Sequence, residues 1–144
     1  MDSESEPGRG AQGLRIGIDV VPQGRIRRSL DDHEQAFVSR LLTPGEAAYC
    51  AGPRMVERVA GRVAAKEAIM KVLGEGWPAV AWSDIAVLPG SSGRPVARLT
   101  GRALAVMESL GLAAIDVSIT HDGDLAIAVA LGLPADGATR VGRF

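Results

Sequence analysis

The chain has 144 residues, 47% of them hydrophobic but 3% aromatic, so it suits one domain with a core of Val, Ile, Leu and Ala. A net charge of −1 excludes a whole-protein nucleic-acid field, and a single cysteine, Cys50, excludes an intrachain disulfide and a cysteine-rich zinc site. No window approaches the apolar run of about 18 residues that a membrane span needs, and no signal peptide opens the chain, so a cytoplasmic address is expected.

Residues 1–13 lack apolar periodicity and read as a disordered leader. Leu14 to Val21 is a short β-branched run closed by Pro22, the pattern of a buried strand. Within it, alternation puts Asp19 on a face with Gly17 and Val21, opposite Ile16, Ile18 and Val20. From Ser29, the acidic residues Asp31, Asp32 and Glu34 predict the first turn of a helix ending near Leu42, because carboxylates favour the positive end of the helix dipole. Thr43-Pro44-Gly45-Glu46 is a capping box with proline at the first helical position, and it predicts a short helix to Cys50. The longest helix is expected from Arg54 to Leu73, stopped by Gly74.

Residues 84–88 and 95–98 read as a hairpin around Pro89-Gly90-Ser91-Ser92-Gly93. Thr100 is a candidate cap for a helix to Leu110, ended by Gly111. Ile115–Thr120 and Asp124–Leu133 form a second expected hairpin with His121-Asp122-Gly123 at its turn, and 134–144 reads as a flexible tail. The order is strand, helices, two strands, helix, two strands. That is α+β, with a small antiparallel sheet against a long helix in a single domain, 14–133.

Three positions can carry chemistry. On the long helix, Val56, Ala60, Val63 and Glu67 fall on one stripe, where an unpaired carboxylate is costly. Glu67 is either paired with Lys71 on a solvated face or held by a cation or metal. The other side of that helix carries Gly61, Ala65 and Ala68, small residues suited to packing on a sheet. Asp19 is either a solvated residue of an edge strand or, if it meets Glu67, half of an oxygen-rich site for Mg²⁺. His121 is either a solvated turn residue or a functional one. His33 reads as a surface residue, Cys50 as a small hydrophobe, and Trp77 and Trp82 as caps on the core or walls of a pocket.

Read together, the segments Gly17-Ile18-Asp19-Val20 with Arg25-Ile26, Phe37 to Thr43 with Glu46, Ala60 to Ala68 with Lys71, Gly93-Arg94-Pro95, and Val117 to His121 resemble the holo-acyl-carrier-protein synthase family. These are the small 4′-phosphopantetheinyl transferases. The resemblance implies an enzyme that moves the phosphopantetheine arm of coenzyme A to a serine of an apo acyl or peptidyl carrier protein. It further implies dependence on Mg²⁺, release of 3′,5′-ADP, and a homotrimer with active sites at subunit boundaries. By the same resemblance Asp19 and Glu67 are metal ligands, Glu67, Lys71 and His121 are catalytic, and the serine proton goes to Glu67 directly or through a metal-bound water. Arg62, Lys66, Gly93, Arg94, Pro95, Thr120 and His121 are implied to line the coenzyme pocket, and Arg25 and Arg40 to meet the acidic carrier. The stretch Asp31, Asp32 and Glu34 is more acidic than such a docking helix usually is, which implies weaker steering and leaves open a fatty-acid, polyketide or peptide carrier. The competing readings are a non-catalytic module that binds coenzyme A or a carrier, and a Mg²⁺-dependent hydrolase or acyl-transfer variant.

Overall fold

The computed structural model describes residues 13–135; most of the expected leader and tail lie outside them. The elements are β1 (Arg15–Pro22), α1 (Gln23–Leu41), α2 (Pro44–Cys50), α3 (Met55–Leu73), a short 3₁₀ turn (Trp82–Asp84), β2 (Ile85–Pro89), β3 (Pro95–Leu99), α4 (Gly101–Ser109), β4 (Leu112–Asp122) and β5 (Leu125–Pro134). Strands β1, β5 and β4 form an antiparallel sheet in that order, and β2 and β3 form a separate two-stranded ribbon. The α+β class, the long helix and the pairing of both hairpins follow the sequence reading, but β4 runs on through His121 and Asp122, so the second turn is Gly123-Asp124 and not the expected His121-Asp122-Gly123. No helix among the described residues is long and apolar enough to cross a membrane.

Helix α3 is the spine, buried all round from Val59 to Lys66. Its small-residue side takes the three-stranded sheet, as the sequence pattern anticipates. A Cβ on Gly17 of β1 would sit 2.9 Å from the Ala68 carbonyl carbon and closer still to its oxygen, so only glycine lets β1 lie this near the helix. On the same face of α3, two turns earlier, Gly61 meets His121 and Ile119 of β4, with a Cβ there 3.2 Å from His121 Nε2. The inward face of β5 is Ala126, Ala128 and Ala130, all fully buried, small side chains that let the sheet lie close to α3.

Strand β1 is an edge strand, and its burial is the reverse of the buried strand expected. Gly17 and Val21 are buried against α3, whereas Ile16, Ile18 and Val20 are 71%, 55% and 48% exposed. Paired residues share a face, so these three continue across to Leu131, Val129 and Ile127 of β5. Ile16, Ile18 and Val20 thus form an outward apolar face, and Asp19 lies on the helix side.

The acid-rich stretch does not open a helix either. α1 begins at Gln23, and Asp31, Asp32 and Glu34 surround a break at His33 (φ −151°, ψ 46°) that joins two helical segments. The first turn of α1 is satisfied from far along the chain: Gln23 N–H donates to the Asp124 carbonyl (2.7 Å) and Gly24 N–H to Asp124 Oδ2 (3.2 Å). At α2 the expected capping box forms, with Thr43 N–H donating to Glu46 Oε1 (2.9 Å) and Glu46 N–H to Thr43 Oγ1 (3.3 Å). Thr100 precedes α4 as expected, although its hydroxyl makes no cap bond; Asp84 Oδ2 accepts from Arg102 N–H instead. β5 extends through Pro134, one residue past the expected domain end.

Candidate active site

The close approach at Gly17 places Asp19 beside α3, next to Lys71. Lys71 Nζ donates to the Ile18 carbonyl (2.7 Å) and lies 3.4 Å from Asp19 Oδ1. Glu67 is half-buried one helical turn before Lys71. Desolvation raises its pKa, the negative charge of Asp19 raises it further, and Arg25 and Lys71 oppose the shift. Two carboxylates far apart in sequence are therefore electrostatic neighbours, with Arg25 of α1 and Lys71 of α3 as the nearby cations. A shallow pocket of about 310 Å³ opens here, lined by Glu67, Met70, Lys71, Gly74, Glu75 and Gly76.

A second cluster sits at the other end of α3. From Glu57 to Glu67 is ten residues, about 15 Å of helix, and His121 lies at the Glu57 end. Its Nε2 is 3.1 Å from the Glu57 carbonyl oxygen and its Nδ1 4.0 Å from Glu57 Oε1. Arg54 pairs with Glu57, and this bond is the main reason that the Glu57 pKa is lowered. Arg58 and Arg62 both lie over the Tyr49 ring, at 5.0 and 4.6 Å from its centroid. Tyr49, Arg54 and Arg58 are not among the site residues expected from the sequence. The spacing of Arg54, Arg58 and Arg62 at i, i+4 and i+8 along one helix is the signal that could have found them.

The remaining expected site residues divide. Arg62 is 6% exposed and anchored by Nε to the Val87 carbonyl (3.0 Å), with its guanidinium toward Tyr49 and the basic cluster. Lys66 does not fit the coenzyme pocket. It is fully buried, and Nζ donates to Glu46 Oε1 (2.6 Å), the Leu41 carbonyl (2.6 Å) and the Trp82 carbonyl (3.0 Å), which uses all three protons. Glu46 also accepts the Val87 N–H (3.0 Å), so this pair ties α2, α3 and β2 together as an internal strut. Arg94, on the turn with Gly93 and Pro95, reaches Asp116 of β4 at 2.7 Å. Thr120 faces outward with Ile127, on the side opposite His121, because neighbouring strand residues alternate. Arg40 stacks on Trp77 at 5.7 Å, and Arg25 stands near Glu67.

One chain thus carries two half-sites, an acidic one with a lysine and a basic one with a histidine, separated along α3. The acidic half suits a hard cation. Its two carboxylates repel one another, and among the described residues no third His, Cys, Asp or Glu completes a protein-only cage. Mg²⁺, which takes one or two carboxylates plus substrate phosphates, fits that donor set. The fold and site define a small α+β protein with an acidic, lysine-bearing pocket at one end of its central helix and an arginine–histidine cluster at the other.

Comparison with known proteins gives the family. A model described as the 4′-phosphopantetheinyl transferase superfamily matches residues 15–130, and the chain belongs to that superfamily. It is 42% identical over 116 residues to a holo-[acyl-carrier-protein] synthase of Gloeobacter violaceus, covering 79% of this chain and 88% of that protein. A second, from Trichlorobacter lovleyi, is 41% identical, with 80% and 93% covered. The solved Helicobacter pylori holo-[acyl-carrier-protein] synthase in complex with coenzyme A superposes with a TM-score of 0.73 at 30% identity, covering 81% of this chain and 98% of that one.

Proposed function

We propose that this chain transfers the 4′-phosphopantetheine arm of coenzyme A to a serine hydroxyl of an apo carrier protein. The observation that carries the reading is the contact of Asp19 with Lys71 across β1 and α3, one helical turn from the half-buried Glu67, in a chain of the phosphopantetheinyl transferase superfamily. The serine oxygen bonds to the β-phosphorus of coenzyme A while the bond to the oxygen of 3′,5′-ADP breaks. The products are the holo carrier and 3′,5′-ADP. Such transfers depend on positioning and on neutralising phosphate charge more than on covalent chemistry by the protein. Lys71, with Nζ fixed by the Ile18 carbonyl, holds its charge beside the pocket to offset the charge of the leaving group. Of the side chains in this half-site, Asp19 and Glu67 can accept the serine proton; the raised proton affinity of Glu67 favours Glu67. Mg²⁺ held by Asp19 and Glu67 would supply further neutralisation of the diphosphate oxygens.

The basic half-site of Arg54, Arg58, Arg62 and His121 suits the phosphates of the coenzyme. A homotrimer brings it to the acidic half-site of a neighbouring copy. The exposed apolar face of Ile16, Ile18, Val20 and Val129 supports this association, since so continuous an apolar surface is seldom left in water. Thr120 on the outward face, and the turn of Gly93, Arg94 and Pro95 that Arg94 ties to Asp116 of β4, would then line the same boundary. Arg25 and Arg40 on α1 would meet the acidic carrier.

The test is to incubate the protein with coenzyme A, Mg²⁺ and several apo carrier proteins and to weigh the carriers. A gain of about 340 Da on one serine is expected. Folded protein that binds coenzyme A yet adds nothing to any carrier would defeat the reading in favour of a binding module. Release of free phosphopantetheine would point to a hydrolase.

A further inference from the structure

Trp77 is 52% exposed, whereas Trp82 is nearly buried at 9%. The exposed indole is not an isolated surface residue. It follows Gly76, the last residue lining the pocket of Glu67 and Lys71, and the Arg40 guanidinium from the last turn of α1 lies 5.7 Å from its ring centroid. The stack joins α1 to the rim of the transfer site. Arg40 has no acidic partner among the described residues, so the pair presents one uncompensated cation and one wet aromatic ring side by side.

We propose that Trp77, oriented by Arg40, is the aromatic anchor on which the carrier protein docks, so that it sets carrier affinity without touching the reacting atoms. The inference rests on the transfer reading above and names a residue of its protein–protein surface. Two arguments select the carrier as occupant. The charge is complementary, since carriers of this kind are acidic and Arg40 is free to receive a carboxylate while its stacked face stays on the indole. The composition also fits, because paired tryptophan and arginine side chains are what well-packed interface centres favour.

Only two tryptophans are present, and one is buried, so the emission of Trp77 is directly readable. Titrating the protein with a tryptophan-free apo carrier, without coenzyme A, should shift the exposed indole emission to shorter wavelength; coenzyme A and Mg²⁺ alone should leave it unchanged. In the mass-based transfer assay, Trp77→Leu should raise KM for the carrier about tenfold. KM for coenzyme A and kcat at saturating carrier should hold within about twofold, and Trp77→Phe should recover most of the loss. If the parent protein modifies a carrier but Trp77→Leu leaves carrier KM unchanged, the inference fails while the transfer reading stands. A rise in KM for coenzyme A instead would assign the indole to the coenzyme pocket and overturn it. So would a change of elution volume in Trp77→Phe or Trp77→Leu, which would mean that the ring covers a second copy of this chain. Emission that responds to no carrier, from a parent protein that modifies none, would remove both.

Discussion

Substituting alanine at Gly17 should cost both stability and transfer, and the size of the effect can be worked from the helix contact. The added Cβ would stand 2.9 Å from the Ala68 carbonyl carbon, 3.1 Å from Lys71 Cβ and nearer still to the Ala68 oxygen. Carbon atoms rest about 3.5–4.0 Å apart, so β1 must retreat from α3 by about 1 Å. Backbone is what stands in the way, so no side chain can turn aside to relieve the overlap. Overpacking of this kind costs about 1–3 kcal/mol. The same retreat carries Asp19 away from Glu67 and Lys71, and a displacement of about 1 Å at a reacting centre can cost on the order of 10²-fold in rate. Chemical denaturation reads the first effect and the carrier mass shift reads the second. Gly24→Ala is the control. Its Cβ meets Asp124 Oδ2 at an ordinary 3.4 Å near the start of α1, and replacing a helical glycine should be neutral or stabilising by up to about 1 kcal/mol. A Gly17→Ala protein with unchanged midpoint and unchanged rate would refute the claim that this glycine sets the position of the carboxylate pair.

Three further outcomes are expected. Burial and Asp19 raise the Glu67 pKa, so its ionisation opposes folding above the unfolded-state value and not below it; the stability of Glu67→Gln relative to the parent should therefore grow as pH rises through that range in denaturant unfolding, and an unchanged difference across it would refute the shift. Glu46→Ala and Lys66→Ala should each cost about 3–5 kcal/mol in denaturant unfolding because each strands a fully buried charge, while Glu46→Leu with Lys66→Met together should cost much less; equal losses in all three would show that charge burial is not the cause. Glu67→Gln and His121→Ala proteins should each be inactive alone yet regain transfer when refolded together, since a mixed assembly rebuilds an intact boundary from two defective copies, and Ile18→Glu should dissociate the assembly; no regain from demonstrably mixed assemblies would refute the shared site.

Much of this protein is written in short-range pattern. The capping box of Thr43 and Glu46, the stop of α3 at Gly74 and the two hairpins each depend on residues a few positions apart, so chain order alone reveals them. The family resemblance likewise rests on short segments in a fixed order, so it points to Asp19, Glu67, Lys71 and His121 from the chain alone.

Tertiary structure decided where those groups face. Alternation separates Asp19 from Ile16, Ile18 and Val20, but it does not say which face meets the helix; the close contact of Gly17 with Ala68 does. A lysine four residues before Met70 can line a pocket or brace a core. Lys66 braces the core, because Glu46 and two carbonyls from distant segments converge on it. The start of α1 is set by Asp124, a hundred residues away, and the Arg40–Trp77 stack joins segments with no common local pattern. Local propensity fixes which backbone forms, because its energies act between near neighbours. The facing of a side chain and the charge beside it depend on packing between distant segments, and the chain acquires those only when it folds.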